Sequence, residues 1–235
     1  MTGPIPEALA AFRAFLRRPV LLEPSGLRPP EARRLWLGMA GLHLSVLLLV
    51  LLPFLRLWQQ AFALPAPDAY GKLAPQVMIP VVVMAAPVLE EAIFRGWLTG
   101  RPRALWLLGC LFALAGLGLA ANADPGSMAV SMALLALLVG APLGWFALRR
   151  RAALRVFATR QAMFFYGSAG VFALSHLANY PRASLVAVPL VLPQLWTGLT
   201  AGFVRMRMGL LASIALHMTS NALALGLAFA LSRLG

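Results

Sequence analysis

The sequence predicts an all-α fold, a polytopic transmembrane helix bundle of about seven spans with its N-terminus in the cytoplasm. Three observations carry this. Of 235 residues, 61% are hydrophobic and only 11% charged, against roughly 45–50% and 25% in soluble domains, and the mean hydropathy is +0.82. Apolar stretches recur at about the 20 residues a helix needs to cross the hydrocarbon core. The basic residues cluster in alternate gaps between those stretches. A net charge of +13 would suggest nucleic-acid binding in a soluble chain. Here 19 of the 20 bases are arginine and such an excess sets topology, so the bilayer is the expected partner and no nucleic acid is.

Residues 1–34 are rich in proline and arginine and too long and charged to open a signal peptide. They read as a cytoplasmic or membrane-surface tail, with Glu7 to Arg18 as an amphipathic helix on the membrane surface. Residues 35–235 form the bundle, with spans at Leu35–Trp58, Pro75–Leu98, Ala104–Ala121, Met128–Leu148, Gln161–Tyr180, Ser184–Val204 and Leu210–Leu231. Fifteen bases then fall on one side, in the groups Arg13 to Arg34, Arg101 and Arg103, Arg149 to Arg160, and Arg205 with Arg207. Arg56, Lys72, Arg182 and Arg233 fall on the other, and Arg95 lies inside a span. Positive residues stay inside, so the N-terminus is expected in the cytoplasm and, after seven spans, the C-terminus outside. The lone Cys110 excludes an internal disulfide and a multi-cysteine metal site.

Five of the seven acids lie in tails or loops, leaving Glu90 and Glu91 within a span. A charge at mid-bilayer costs about 2.5–3.5 kcal/mol on the lenient insertion scale, so two adjacent glutamates need a reason. Arg95 is one turn after Glu91 on the same face and can neutralise it. Glu90 has Phe94 at that spacing and, about 100° around the helix, is free to meet another helix. A structural ion pair beside a protonated glutamate is the plainer reading of the same residues. His176 and His217 fall in late spans, and His217 shares its face with Asn221. His43 in the first span reads as a helix-to-helix hydrogen-bonding residue. Three polar faces on three apolar helices are most economically satisfied by meeting in the bundle core. Counting helical rise puts Glu90 and His217 at similar depths, about 12 Å from the cytoplasmic side. His176 would lie about 22 Å deep if its span began at Gln161, so its helix must cross later or tilt.

A carboxylate and a histidine converging on water make a general base, and a histidine and an asparagine beside them can donate to an oxyanion. The alternatives of a serine or cysteine nucleophile are not supported: G-x-S-x-G is absent and Cys110 has no basic neighbour. H-E-x-x-H is absent too. Pro87, Pro142, Pro189 and Pro193 could loosen helices around a water-holding cavity, or be tolerated kinks.

At these residues the chain resembles the CAAX-protease and bacteriocin-processing (CPBP, or Abi) family of glutamic intramembrane proteases. That family carries E-E-x-x-x-R, F-x-x-x-H and H-x-x-x-N/D on three transmembrane helices, matched here in order by Glu90-Glu91 to Arg95, Phe172 to His176, and His217 to Asn221. Ala86-Pro87, Phe94-Arg95-Gly96 and the small-residue stretch from Gly198 to Gly209 agree, and the likeness runs from Val77 to Leu225. The resemblance implies that Glu90 and His176 activate water, that His217 and Asn221 form the oxyanion site, and that Glu91, Arg95 and Phe172 support them, with no cofactor and no metal. One departure is the 85 residues separating Glu91 from His176, which include two additional spans. An even number of inserted helices leaves the sidedness of the later spans unchanged.

The expected activity is that of an intramembrane endopeptidase in the cytoplasmic (inner) membrane. The Ala, Leu and Arg bias suggests a GC-rich bacterium, where prenylated CAAX ends are not expected, so the expected partner is a membrane-anchored protein or peptide with a leader or C-terminal sorting tail. Two other readings use the same residues: a zinc protease with Glu90, His176 and His217 as ligands, and a non-catalytic immunity or scaffold protein. Proton-coupled transport would also use intramembrane Glu and His, but no inverted repeat or paired broken helices accompany them.

Overall fold

A computed structural model describes residues 3–67, 74–181 and 184–232, and it is helical throughout, as expected. Asp68, Lys72, Arg182 and Arg233 lie outside the described residues. The chain forms α1 (Pro4–Arg17), α2 (Pro30–Ala61), α3 (Gln76–Arg95), α4 (Pro102–Ala123), α5 (Met128–Leu148), α6 (Arg155–Ser175), α7 (Leu192–Met208) and α8 (Leu210–Ser232). Two short 3-10 segments, His176–Asn179 and Leu185–Val191, link α6 to α7. Pro4, Pro30, Pro102 and Pro193 all sit in first turns, where the missing N–H has no helical partner to lose.

Six helical stretches are long and apolar enough to cross a membrane, those of α2, α3, α4, α5, the segment Leu185–Met208 containing α7, and α8. The chain is therefore a multi-pass membrane protein. The exception among the seven expected spans is α6. It carries Arg155, Arg160, Gln161, Ser168 and Ser175 in 21 residues, and its backbone breaks at Arg160. One face of α6, including Gln161, Phe165, Ser168 and Phe172, is buried against the bundle, so protein meets the polar groups of Gln161 and Ser168, while Arg155, Arg160 and Ser175 are exposed.

The helix expected near Glu7 forms, and the bundle itself covers its apolar face. Phe12 packs edge-on against Trp196 at 5.7 Å and tilted against Phe203 at 5.4 Å, while Phe15 meets Phe165 at 5.1 Å. Glu7 holds Arg34 through both carboxylate oxygens at 2.8 and 3.0 Å. Gly38 lets α1 approach α2, since a Cβ there would stand 2.2 Å from the Pro4 carbonyl oxygen. The largest apolar cluster lies among α1, α2, α7 and the first half of α8, with Met39, Phe203, Met206 and Leu216 almost fully enclosed.

The two inserted helices form a separate hairpin. Helices α4 and α5 pack on each other and touch the rest only slightly, and neither has a buried residue. Trp106 crosses onto α5, donating to Ala141 O at 3.0 Å over Gly144, where a Cβ would come within 2.3 Å of the indole. The hairpin leaves and rejoins the bundle at one point, where Leu154 N donates to Gly100 O at 2.9 Å.

Candidate active site

Helix α3 ends immediately after the E-E-x-x-x-R motif, and other helices take up its terminal carbonyls. Arg205 of α7 donates from Nε to Arg95 O at 3.0 Å and from Nη2 to Gly96 O at 2.9 Å. Ser168 of α6 bonds to Phe94 O, and Gln161 Nε2 reaches Leu98 O at 3.4 Å. A buried helix end needs such partners, and these fix where the motif stops. The greater depth counted for His176 in the sequence does not keep it from the motif, since its Nε2 lies 3.8 Å from Glu90 Oε1.

Glu91 is fully buried and triply held. Its Oε1 lies 3.0 Å from Arg95 Nη1 and 3.0 Å from His217 Nδ1, and Ser213 donates its hydroxyl to Oε2. The pairing with Arg95 expected from the one-turn spacing is present; the contact with His217 on α8 is additional. Phe172 joins the parts together. The Arg95 guanidinium sits 3.7 Å from the Phe172 ring centroid, a cation-π contact worth about 2 kcal/mol when desolvated. The same ring packs edge-on against His176 at 4.7 Å and His217 at 5.9 Å.

Glu90 points the other way, and its side chain is 26% exposed. His176 Nε2 lies 3.8 Å from Glu90 Oε1 and His217 Nε2 lies 3.6 Å from Oε2. His176 Nδ1 is 2.8 Å from Phe172 O. A carbonyl only accepts, so Nδ1 carries the hydrogen, and in the neutral ring Nε2 faces Glu90 as an acceptor. The Glu91 carboxylate likewise places a hydrogen on His217 Nδ1. The 3.6–3.8 Å gaps exceed direct hydrogen bonds and leave room for a small molecule among the three groups.

Asn221 is placed by a backbone irregularity. Helix α3 widens into a π turn over Val81–Ala85, in which Ala86 N bonds back to Val81 O. The next residue, Pro87, has no N–H to continue this pattern, and Val82 O instead accepts from Asn221 Nδ2 at 2.9 Å. Helix α2 repeats the device, with a π turn over Leu47–Leu51 just before Pro53. Leu47 of this turn and Ala86, which closes the other, line one cavity of about 230 Å³, whose lining also includes Glu90, Phe172, His176, His217 and Asn221. Pro142 lies within the hairpin, beside a recess between α4 and α5, whereas Pro193 lines the cavity as well. Gln194 also lines it, with a buried side-chain oxygen that has no hydrogen-bond partner.

All seven residues singled out in the sequence are thus brought together. Sequence reasoning missed Ser213, Arg205 and Gln194. Arg205 sits in a basic group that reads as topogenic charge, and Ser213 and Gln194 carry no motif. His43 is buried and bridges Thr200 and Ser220 at 2.9 Å each, consistent with a helix-to-helix hydrogen-bonding residue. Among the described residues no group of three or more His, Cys, Asp or Glu is arranged to hold a metal ion.

Comparison with known proteins matches one family model, type II CAAX prenyl endopeptidase Rce1-like, over residues 72–223. No curated protein and no solved structure matches the chain. The match spans well over half of the sequence and contains all three motifs, so the chain belongs to the Rce1-like branch of the CPBP family and is a CAAX-type membrane endopeptidase.

Proposed function

We propose that the protein cleaves a membrane-associated protein or peptide by glutamate-activated water, at the cytoplasmic membrane and without a covalent intermediate. The observation that carries this is the placement of Glu90 between His176 Nε2 and His217 Nε2 in a protein-lined cavity. A carboxylate there can hold water and take its proton as the oxygen attacks the scissile carbonyl carbon. His176, with Nε2 as acceptor, would orient the same water. Charge then develops on the carbonyl oxygen. His217, held at Nδ1 by Glu91, and the remaining amide N–H of Asn221 are the groups nearest to receive it. Collapse of the tetrahedral intermediate breaks the C–N bond, and Glu90 returns its proton to the leaving amine. The products are a carboxylate and an amine.

Glu91 does different work from its neighbour. Paired with Arg95 and fully buried, it has no access to substrate and instead orients His217. Gln194 Oε1 is available to accept from a backbone N–H of bound peptide. The substrate we infer is a membrane-anchored tail or leader, cut at a site facing the cavity. The positive-inside distribution of arginine supports an N-terminus in the cytoplasm.

Separate Glu90→Ala and His176→Ala variants test the chemistry. Both are expected to reach the membrane at normal levels and lose cleavage. Full processing by either variant would overturn the assignment, and activity lost to a chelator and restored by zinc would favour the metal reading instead.

A further inference from the structure

Where the hairpin meets the bundle, two recesses join. The first, about 690 Å³, is walled by Ala92 and Gly96 from the α3 end, by Leu107, Leu108 and Leu111 of α4, by Trp145 of α5 and by Leu210 and Leu211 of α8. The second, about 320 Å³, is polar and includes Glu23, Thr99 and Arg101. They share Arg103, Ala104 and Arg205. Glu23 is engaged by Arg101 at 2.8 Å, whereas among the described residues neither Arg103 nor Arg205 makes an ion pair. Both donate to backbone carbonyls, Arg103 to Arg149 O at 3.5 Å and Arg205 to Arg95 O and Gly96 O. Two guanidinium groups without an ion-pair partner among the described residues therefore stand at the junction of a polar recess with an apolar one.

We infer that this junction binds one anionic phospholipid, its phosphate on Arg103 and Arg205 and an acyl chain along the apolar recess between hairpin and bundle. Dimensions and chemistry point to a lipid. From Arg103 to Leu111 the wall runs eight residues, about 12 Å, close to the depth of one leaflet in a hydrocarbon core of about 30 Å. Trp145 lies near the basic end of α5, the level at which indoles meet headgroups. A peptide substrate fits less well. The recess lies on the α3 face of Ala92 and Gly96, two residues and about 200° round from Glu90, and shares no lining residue with the catalytic cavity. A lipid there would fill the space between two parts of the protein that otherwise touch little.

The test is native mass spectrometry of the detergent-purified full chain with added dioleoylphosphatidylglycerol or dioleoylphosphatidylcholine. The intact protein is expected to retain one phosphatidylglycerol about tenfold more tightly than phosphatidylcholine, which presents the same phosphate together with a cationic choline that the two arginines repel. Arg103→Gln should remove that preference. Ala104→Phe, which fills the recess and leaves the charge, should weaken both lipids. Excess inorganic phosphate should not displace the bound lipid. Equal retention of the two lipids by the intact protein would overturn the inference, as would undiminished phosphatidylglycerol binding by Ala104→Phe or displacement by phosphate.

Discussion

The α4–α5 hairpin and the helices around Glu90 are built by opposite rules. The hairpin is among the most apolar parts of the chain, yet 6% and 0% of its two membrane windows are buried in protein; the less apolar window containing α7 is 44% buried. Helix α6, which carries Phe172 and leads into His176, falls short of a membrane span altogether. In a bilayer apolar surface is what faces lipid, and buried polar surface is what joins helices. High hydropathy goes with lipid exposure in the hairpin and lower hydropathy with burial in α7, while α3, at the same mean hydropathy as α5, sets Glu90 and Glu91 into an otherwise apolar helix.

The largest effect should come from the centre. Glu90→Gln keeps the shape and removes the base, so cleavage should fall about 100- to 10,000-fold, read from accumulation of uncut substrate. Next come the buried supports. Arg95→Ala takes the guanidinium from the buried Glu91 and leaves only His217 and Ser213 to hold it, which should cost about 3 kcal/mol and lower the midpoint of thermal unfolding in detergent. Phe172→Leu removes the ring under Arg95, a loss of about 2 kcal/mol, and should reduce cleavage as well as stability because both histidines lean on that ring. In the hairpin the same kinds of measurement should barely move. Leu114 and Leu138 are 51% and 73% exposed, so Leu114→Ala or Leu138→Ala should shift stability by no more than about 0.5 kcal/mol. A hairpin leucine that proved as costly as Arg95 would break the contrast.

Legibility in the sequence divides along the same line. The spans, the insertion and the Glu91–Arg95 pair rest on composition and on spacing within one helix, and apart from α6 all are present. The convergence of Glu90, His176, His217 and Asn221 was legible because polar side chains are scarce in an apolar chain and have few places to be satisfied. The hold of Arg205 on the end of α3 and the hydroxyl of Ser213 on Glu91 depend on packing between residues more than 100 apart in the chain. No local pattern distinguishes Arg205 from the arginines that set topology. A proline follows each π turn, Pro53 and Pro87, and of these sequence reasoning singled out Pro87 alone, because proline by itself does not tell a widened turn from a simple kink. The shortfall of α6 as a span reflects the same physics in part, since Gln161 and Ser168 are answered by protein.

The central claim is that Glu90 does chemistry while Glu91, one residue away, only holds His217. It is tested most directly by profiling the termini of membrane proteins in cells that make the intact protein or Glu90→Gln at matched levels. The account predicts a cleaved terminus of at least one membrane-associated protein that is present with the intact protein and missing with the variant. The same termini in both strains, at the same abundance, would contradict it.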